Sequence, residues 1–309
     1  MRLRSLGRTG LRVSELGICV STRSGPHETA AAIKLAFERG VNTVTIDAGD
    51  AAAANLLSGV LKQGGPHDLL VIARASSLVP FDLPSPHVPA EQAYPGRHLR
   101  AEVEGLLRVL GVERLALLQL HAWCPEWLGE GDWLDTLARL RDEGKIAGFG
   151  VSLFDHDMDA ALEVVASGAI DAVQLMYNVF DQGAAERLFP LCATHGVGVV
   201  IRSPLYYGAL ASTFDPASLA ADDWRQSYFF EEHRRETLER VRKLESLVVP
   251  PDRSVTDLAL RFSLSHPAVS TVAVGMRGRA HLEGNLRAVM AGPLDAALHT
   301  ALAQHKWLC

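Results

Sequence analysis

The chain has 309 residues, of which 48% are hydrophobic and 21% charged, and a net charge of −6. This suits a globular protein with a large core, and the negative balance argues against nucleic acid or an anionic membrane as partner. The start, MRLRSLGRTGLRV, lacks the apolar core of a signal peptide, and no window approaches the roughly 18 apolar residues of a membrane helix. Cys19, Cys124, Cys192 and Cys309 are far apart and form no CxxC pair. His121 and Cys124 have a His-x-x-Cys spacing, but no second pair accompanies them. We therefore expect one domain over residues 1–309 in a reducing cytoplasm, without a disulfide framework or a bound metal.

In chain order, LGRTGLRV (6–13) reads as a hairpin turn in which Gly10 is free to take a positive φ. Eight short apolar runs follow: LGICV (16–20), VNTVTID (41–47), LLVIA (69–73), LALLQL (115–120), GFGV (148–151), AVQL (172–175), VGVVI (197–201) and TVAV (271–274). Between them lie stretches with apolar spacing near 3.6, such as HETAAAIKLAFERG (27–40), HLRAEVEGLLRVLG (98–111), WLDTLARLRDEG (133–144) and AAERLFPLCATHG (184–196). Several end in Gly, as a left-handed helix cap requires.

Strands that alternate with helices predict a parallel sheet, and eight such units in this length predict a closed (β/α)8 TIM barrel of the α/β class. A doubly wound sheet would place a glycine-rich turn after the first strand, and ICVSTRSGPHE contains no GxGxxG. Two long segments, 76–96 and 205–230, follow the third and seventh strands, at the barrel end where such folds build their sites.

Segment by segment, the chain resembles the aldo-keto reductases. The matching stretches are LGRTGLRVSELGI (6–18), HLRAEVEGLLRVLGVERLALLQLH (98–121), GKIAGFGVS (144–152), VQLMYNVFD (173–181), RSPLYYGAL (202–210) and AVGMRGRAHLEGN (273–285). The resemblance implies a TIM barrel that binds a nicotinamide dinucleotide without a Rossmann motif and moves a hydride between it and a carbonyl. It also implies four catalytic positions: an Asp, a Tyr that supplies the proton, a Lys that lowers the Tyr pKa, and a His that orients the carbonyl.

His121 stands at the His position. Arg74 replaces the Lys, and a guanidinium stabilises an anion without relaying a proton. Counting forward from Gly40 puts Thr45 at the Asp position and Asp50 at the Tyr position. Counting back from NLLSG puts Asp47 and Ala52 there, which we prefer; neither count finds a Tyr. The expected site is therefore a degenerate tetrad of Asp47, Asp50, Arg74 and His121 with a non-standard proton donor. His121 is the first candidate for that role, and Tyr94, Tyr206 and Tyr207 are candidates by position.

For the cofactor, the resemblance implies Ser152 and Gln174 at the nicotinamide carboxamide. It places Arg202 beside the ring and Ser203, Leu205, Gly208 and Leu210 at the pyrophosphate. Gly275, Arg277, His281 and Asn285 fall at the adenosine end, where an arginine suits the 2′-phosphate of NADP(H). The expected function is a divergent NADPH-dependent oxidoreductase acting on a small carbonyl or sugar-like metabolite. The alternatives are a barrel enzyme with non-redox acid–base chemistry (elimination or epimerisation) built on the same four residues, and a non-catalytic NADPH- or metabolite-binding protein. Trp123, Trp127, Trp224, Phe229 and Phe230 are candidate apolar walls for the substrate.

Overall fold

All eight apolar runs become strands, and the strands close on one another. The computed structural model describes residues 1–22, 25–80, 87–211, 219–250, 252, 254–275 and 278–308. A hairpin of β1 (Leu3–Ser5) and β2 (Arg12–Ser14) precedes the barrel strands. These are β3 (Leu16–Cys19), β4 (Thr43–Asp47), β5 (Leu70–Ser76), β6 (Leu115–His121), β7 (Ile146–Ser152), β8 (Ala172–Met176), β9 (Gly198–Arg202) and β10 (Val269–Gly275). Each pairs in parallel with its neighbours, and β10 closes the ring between β9 and β3. The helices named below are α1 (Pro26–Glu38), α2 (Ala51–Leu61), α3 (Ala90–Ala93), α4 (Gly96–Leu110), α5 (Trp133–Asp142), α6 (Leu162–Ala166), α7 (Leu188–His195), α8 (Arg225–Tyr228), α9 (Glu231–Glu245), α10 (Val255–Ser265), α11 (Arg279–Met290) and α12 (Ala296–Ala303).

Local chemistry explains the helix limits. In α4, Leu99, Val103, Leu106 and Leu110 form one buried stripe, and Gly111 ends the helix at φ 69°, with its N–H on the Leu107 carbonyl. The stretch expected as helix from Ala184 starts later: a 3-10 turn covers Gly183–Ala185, and α7 begins at Leu188.

One end of the barrel is sealed. Leu6 and Val13 from the hairpin cluster with Ile72, Leu117, Ala172, Val200 and Ala273, all buried. Gly10 turns the hairpin at φ 75°, as its sequence suggested. Glu15, which is 3% exposed, holds the hairpin's Arg2 and Arg4 at 2.7 and 2.8 Å, and Arg4 also donates to the Leu264 and Val269 carbonyls. The hairpin is therefore a hydrogen-bonded plug, and the opposite end is left to form the site.

Strand alternation then decides which residues face the axis. Ile72, Leu117, Ala172, Val200 and Ala273 share the interior, so Arg74, Gln119, His121, Gln174, Arg202 and Gly275 on the same strands face it too, nearer the open end. The register sets their heights: Asp47 lies beside Arg74, Arg74 beside Gln119, His121 beside Ser152, and Ser152 beside Gln174.

At Gly150, β7 leaves no room for a side chain against β8. A Cβ there would lie 1.9 Å from the Ala172 carbonyl oxygen of β8. Gly150→Ala should lower stability by about 3 kcal/mol or prevent barrel closure, because backbone cannot yield as a side chain can. A urea midpoint indistinguishable from wild type would contradict this.

Candidate active site

At the open end, a cavity of about 490 Å³ is bounded by the loops after β5, β6, β7 and β9. Its polar lining is Ser77, His121, Asp155, Arg202 and Tyr207, and its apolar lining includes Val79, Pro80, Ala122, Leu153 and Phe154.

His121 ends β6. Its Nδ1 lies 3.0 Å from Ser152 Oγ, which donates to Gln174 Oε1 at 3.3 Å. That order makes Nδ1 the protonated nitrogen and leaves Nε2 as an acceptor. Burial, reinforced by the charges of Arg74 and Arg202, pushes the imidazole pKa down to about 3. His121 is therefore neutral at ordinary pH and holds no imidazolium proton to give. Beside it, the Gln174 side-chain nitrogen is buried without a partner, as are both polar ends of Gln119 and the Thr45 hydroxyl.

Arg202 ends β9 and is pinned from three sides. It meets Asp155 at 2.5 Å, donates to the Leu153 carbonyl at 2.7 Å and reaches the Tyr207 hydroxyl at 3.3 Å. Burial opposes its charge, but Asp155 and Tyr207 outweigh that effect and raise its pKa. The Tyr207 hydroxyl in turn donates to Asp155 Oδ2. Burial is the main cause that raises the Tyr207 pKa; Arg202 pulls it down and Asp155 pushes it up. Arg202, Asp155 and Tyr207 form one closed cluster on the cavity wall.

The loop that carries Tyr207 is tightly wound. Ser203, Tyr206 and Tyr207 have φ of 52°, 46° and 55°, a region that costs non-glycine residues about 1–3 kcal/mol each and recurs at functional sites. Turn hydrogen bonds run from Tyr206 to Ser203 and from Gly208 and Leu210 to Leu205. Aromatic rings support it: Trp224 and Tyr228 lie 4.7 and 4.8 Å from the Tyr207 ring. Behind it, a line of hydrogen bonds runs from Asp181 to His156 (2.8 Å), Tyr228 (3.0 Å), Tyr206 (3.2 Å) and His233 (2.6 Å). The Asp181 hydrogen bond raises the His156 pKa against burial, and burial lowers that of His233.

The residues anticipated around β4 are divided by the fold. Asp47 accepts from Arg74 Nε at 2.6 Å. Asp50 instead caps α2, accepting from the Ala53 amide at 2.9 Å. His121 is in the cavity lining, whereas Asp47, Asp50 and Arg74 are not among the described lining residues. Tyr94 is 1% exposed, and its hydroxyl donates to the backbone carbonyl of His121 rather than to the imidazole. Tyr206 is buried with its hydroxyl on His233.

Asn285 is buried and His281 exposed on α11, while Gly275 ends β10. Arg277 lies outside the described residues; Arg279 pairs with Glu283 at 2.9 Å. Trp123 and Trp127 are core residues packed with Trp133 and Tyr94, whereas Trp224 and Phe230 are exposed. Sequence reasoning missed Asp155 altogether. Its signal was an acid three residues past Ser152, in the turn leaving β7.

The aldo/keto reductase family model matches residues 15–306. The chain belongs to the aldo/keto reductase family. The family's fold agrees: aldo-keto reductase AKR11C1 from Bacillus halodurans, in its holo form, superposes with a TM-score of 0.79 at 24% identity, over 100% of this chain and 97% of that one. Among relatives, "Uncharacterized oxidoreductase YqkF" of Bacillus subtilis (strain 168) is 28% identical over 99% of this chain and 96% of its own length. "L-galactose dehydrogenase" of Arabidopsis thaliana is 26% identical over 94% and 88%. Members of the family are oxidoreductases that typically bind NAD(P)H. Among the described residues, no helix is long and apolar enough to cross a membrane, and no cluster of His, Cys, Asp and Glu could hold a metal ion.

The depressed His121 pKa links the site to stability. Between about pH 6.5 and pH 3 the unfolded chain binds a proton at this residue and the folded one does not, so stability is full above that window and falls as pH drops through it. Comparing urea midpoints at about pH 7 and pH 4, His121→Asn should lose less stability than wild type, by on the order of 2 kcal/mol. Equal losses would refute a buried neutral imidazole.

Proposed function

We propose that this chain is an NADPH-dependent oxidoreductase of small hydroxyl or carbonyl compounds, including sugar-like ones, working as one barrel domain over residues 1–309. The observation that carries this reading is the unpartnered Gln174 side-chain nitrogen at the barrel mouth, beside Ser152 and His121. A buried amide donor without an acceptor is costly, and a carboxamide oxygen would satisfy it. The donor set therefore fits a nicotinamide. When bound, that group supplies or takes the hydride.

The chain's own residues do the rest. Ser152 and Gln174 hold the carboxamide, and the 203–210 turn receives the pyrophosphate at Ser203, Leu205, Gly208 and Leu210. Gly275, Arg277, His281 and Asn285 receive the adenosine end, with Arg277 on the 2′-phosphate. His121 orients the substrate oxygen through Nε2. Arg202 keeps positive charge beside the ring, and the proton is exchanged without the family's usual Tyr and Lys. Arg74 is paired with Asp47 and Asp50 is committed to a helix cap, which weakens the reading in which these groups and His121 run proton-only chemistry. Free thiols at Cys124 and Cys192 suit a reducing cytoplasm.

The test is a fluorescence titration with NADPH, followed by a panel of carbonyl and hydroxyl compounds. Saturable binding with turnover is expected. Gln174→Leu should weaken NADPH binding about tenfold, since one hydrogen bond to a buried donor is worth about 1 kcal/mol or more. No fluorescence change would sink the reading, and binding without turnover would leave a cofactor-binding protein.

A further inference from the structure

The hydroxyl and imidazole groups on the cavity wall share one property: their protons are already committed elsewhere, while the buried Arg202 Nε–H has no partner among the described residues. The Tyr207 hydroxyl donates to Asp155. With the Ser152 hydroxyl donating to Gln174, His121 donates through Nδ1 to Ser152, which leaves Nε2 as an acceptor. The Ser77 hydroxyl donates to the Val79 carbonyl at 2.6 Å. Arg202 is held by Asp155, Leu153 and Tyr207. A carbonyl oxygen, which only accepts, finds no uncommitted hydroxyl proton among these described groups. A hydroxyl, which donates, finds two acceptors: the Tyr207 oxygen and His121 Nε2.

Resting on the oxidoreductase reading above, we propose that Tyr207 takes the proton of a substrate hydroxyl while passing its own to Asp155, so that the pocket is built for a secondary alcohol or sugar hydroxyl and its oxidation. The substrate O–H bond breaks, and its electron pair becomes the second bond of the new carbonyl. The proton goes to the Tyr207 oxygen as the phenol proton moves to Asp155 Oδ2. The hydride leaves the carbinol carbon for an oxidised nicotinamide dinucleotide. Asp155 later returns its proton to water. Arg202 contacts both Asp155 and Tyr207 and holds negative charge on either oxygen during the transfer. The positive φ at Tyr207 and the Trp224 and Tyr228 rings fix the phenol in this place.

Two measurements test the relay. The first is an alkaline absorbance titration of the full chain without cofactor, reading phenolate. The groups that face the phenol are Asp155 and Arg202, with Tyr206 and Tyr228 on ring contacts and His121 across the cavity; Arg225, paired with Asp223, donates to the Tyr207 carbonyl. Asp155→Asn removes the charged acceptor and leaves Arg202, so one phenolate should appear about one pH unit or more lower. That phenolate should vanish in the double variant with Tyr207→Phe. An unshifted titration overturns the relay whatever the activity.

The second measurement is kinetic, with NADP+ and a panel of polyols, aldoses and secondary alcohols. Tyr207→Phe should reduce kcat by about 10²–10⁴-fold while the NADPH dissociation constant holds. Turnover within about threefold of wild type overturns the role of Tyr207. Carbonyl reduction without any hydroxyl oxidation overturns the assigned substrate class. Loss of NADPH binding in the wild-type protein would instead defeat the oxidoreductase reading, which the phenolate titration does not touch.

Discussion

A closed ring of parallel strands leaves a side chain two choices, axis or helix layer, and the choice alternates with every residue. Most of the site follows from that constraint. On β5, β6, β8, β9 and β10 the inward positions begin as Ile72, Leu117, Ala172, Val200 and Ala273, pressed against the hairpin plug. Two residues on, the same columns hold Arg74, Gln119, Gln174, Arg202 and Gly275. The apolar layer excludes water below, and polar groups gather where loops open the barrel above. Gly150 shows how tightly the ring is drawn, since β7 has no room for a methyl group against β8.

Charge at the mouth is handled by pairing rather than exposure. Arg74 and Arg202 face the interior, and each has its own carboxylate: Asp47 for Arg74 and Asp155 for Arg202. Burial of the ring, reinforced by their positive fields, keeps His121 neutral. Neutrality changes what the histidine offers. An imidazolium would be an acid; this imidazole, with its Nδ1 proton on Ser152, is an acceptor and an orienting group. The proton traffic then falls to whichever hydroxyl shares a hydrogen bond with a carboxylate at the wall, which is Tyr207.

The segment after β9 is an extension of the scaffold. Tyr206 packs edge to face with Tyr228 and Phe229, His233 stacks on Trp307, and the line from Asp181 to His233 ties them to the turn after β7. This packing offsets the cost of three left-handed non-glycine residues at Ser203, Tyr206 and Tyr207. It also brings Asp155 and Tyr207, 52 positions apart, into one hydrogen bond.

The sequence by itself determined the barrel. Eight apolar runs, helical spacing between them, turn glycines and the absence of GxGxxG are all local or periodic signals, and each became a strand, helix or cap close to where it was read. His121 was legible at the end of its strand, whereas Ser152, Gln174 and Arg202 were implied by the family resemblance; alternation along the strands then turns all four toward the axis. Only the tertiary structure decided who partners whom. Asp50 and Asp47 are three residues apart, yet one caps a helix and the other holds an arginine. Tyr94, Tyr206 and Tyr207 look equivalent as loop tyrosines, yet packing buries the first two and leaves the third on the cavity wall. Asp155 carried no motif, because its role exists only across the gap between the turns after β7 and β9. Hydrogen-bond partnership depends on distances of about 3 Å between residues far apart in the chain, and no local pattern encodes those.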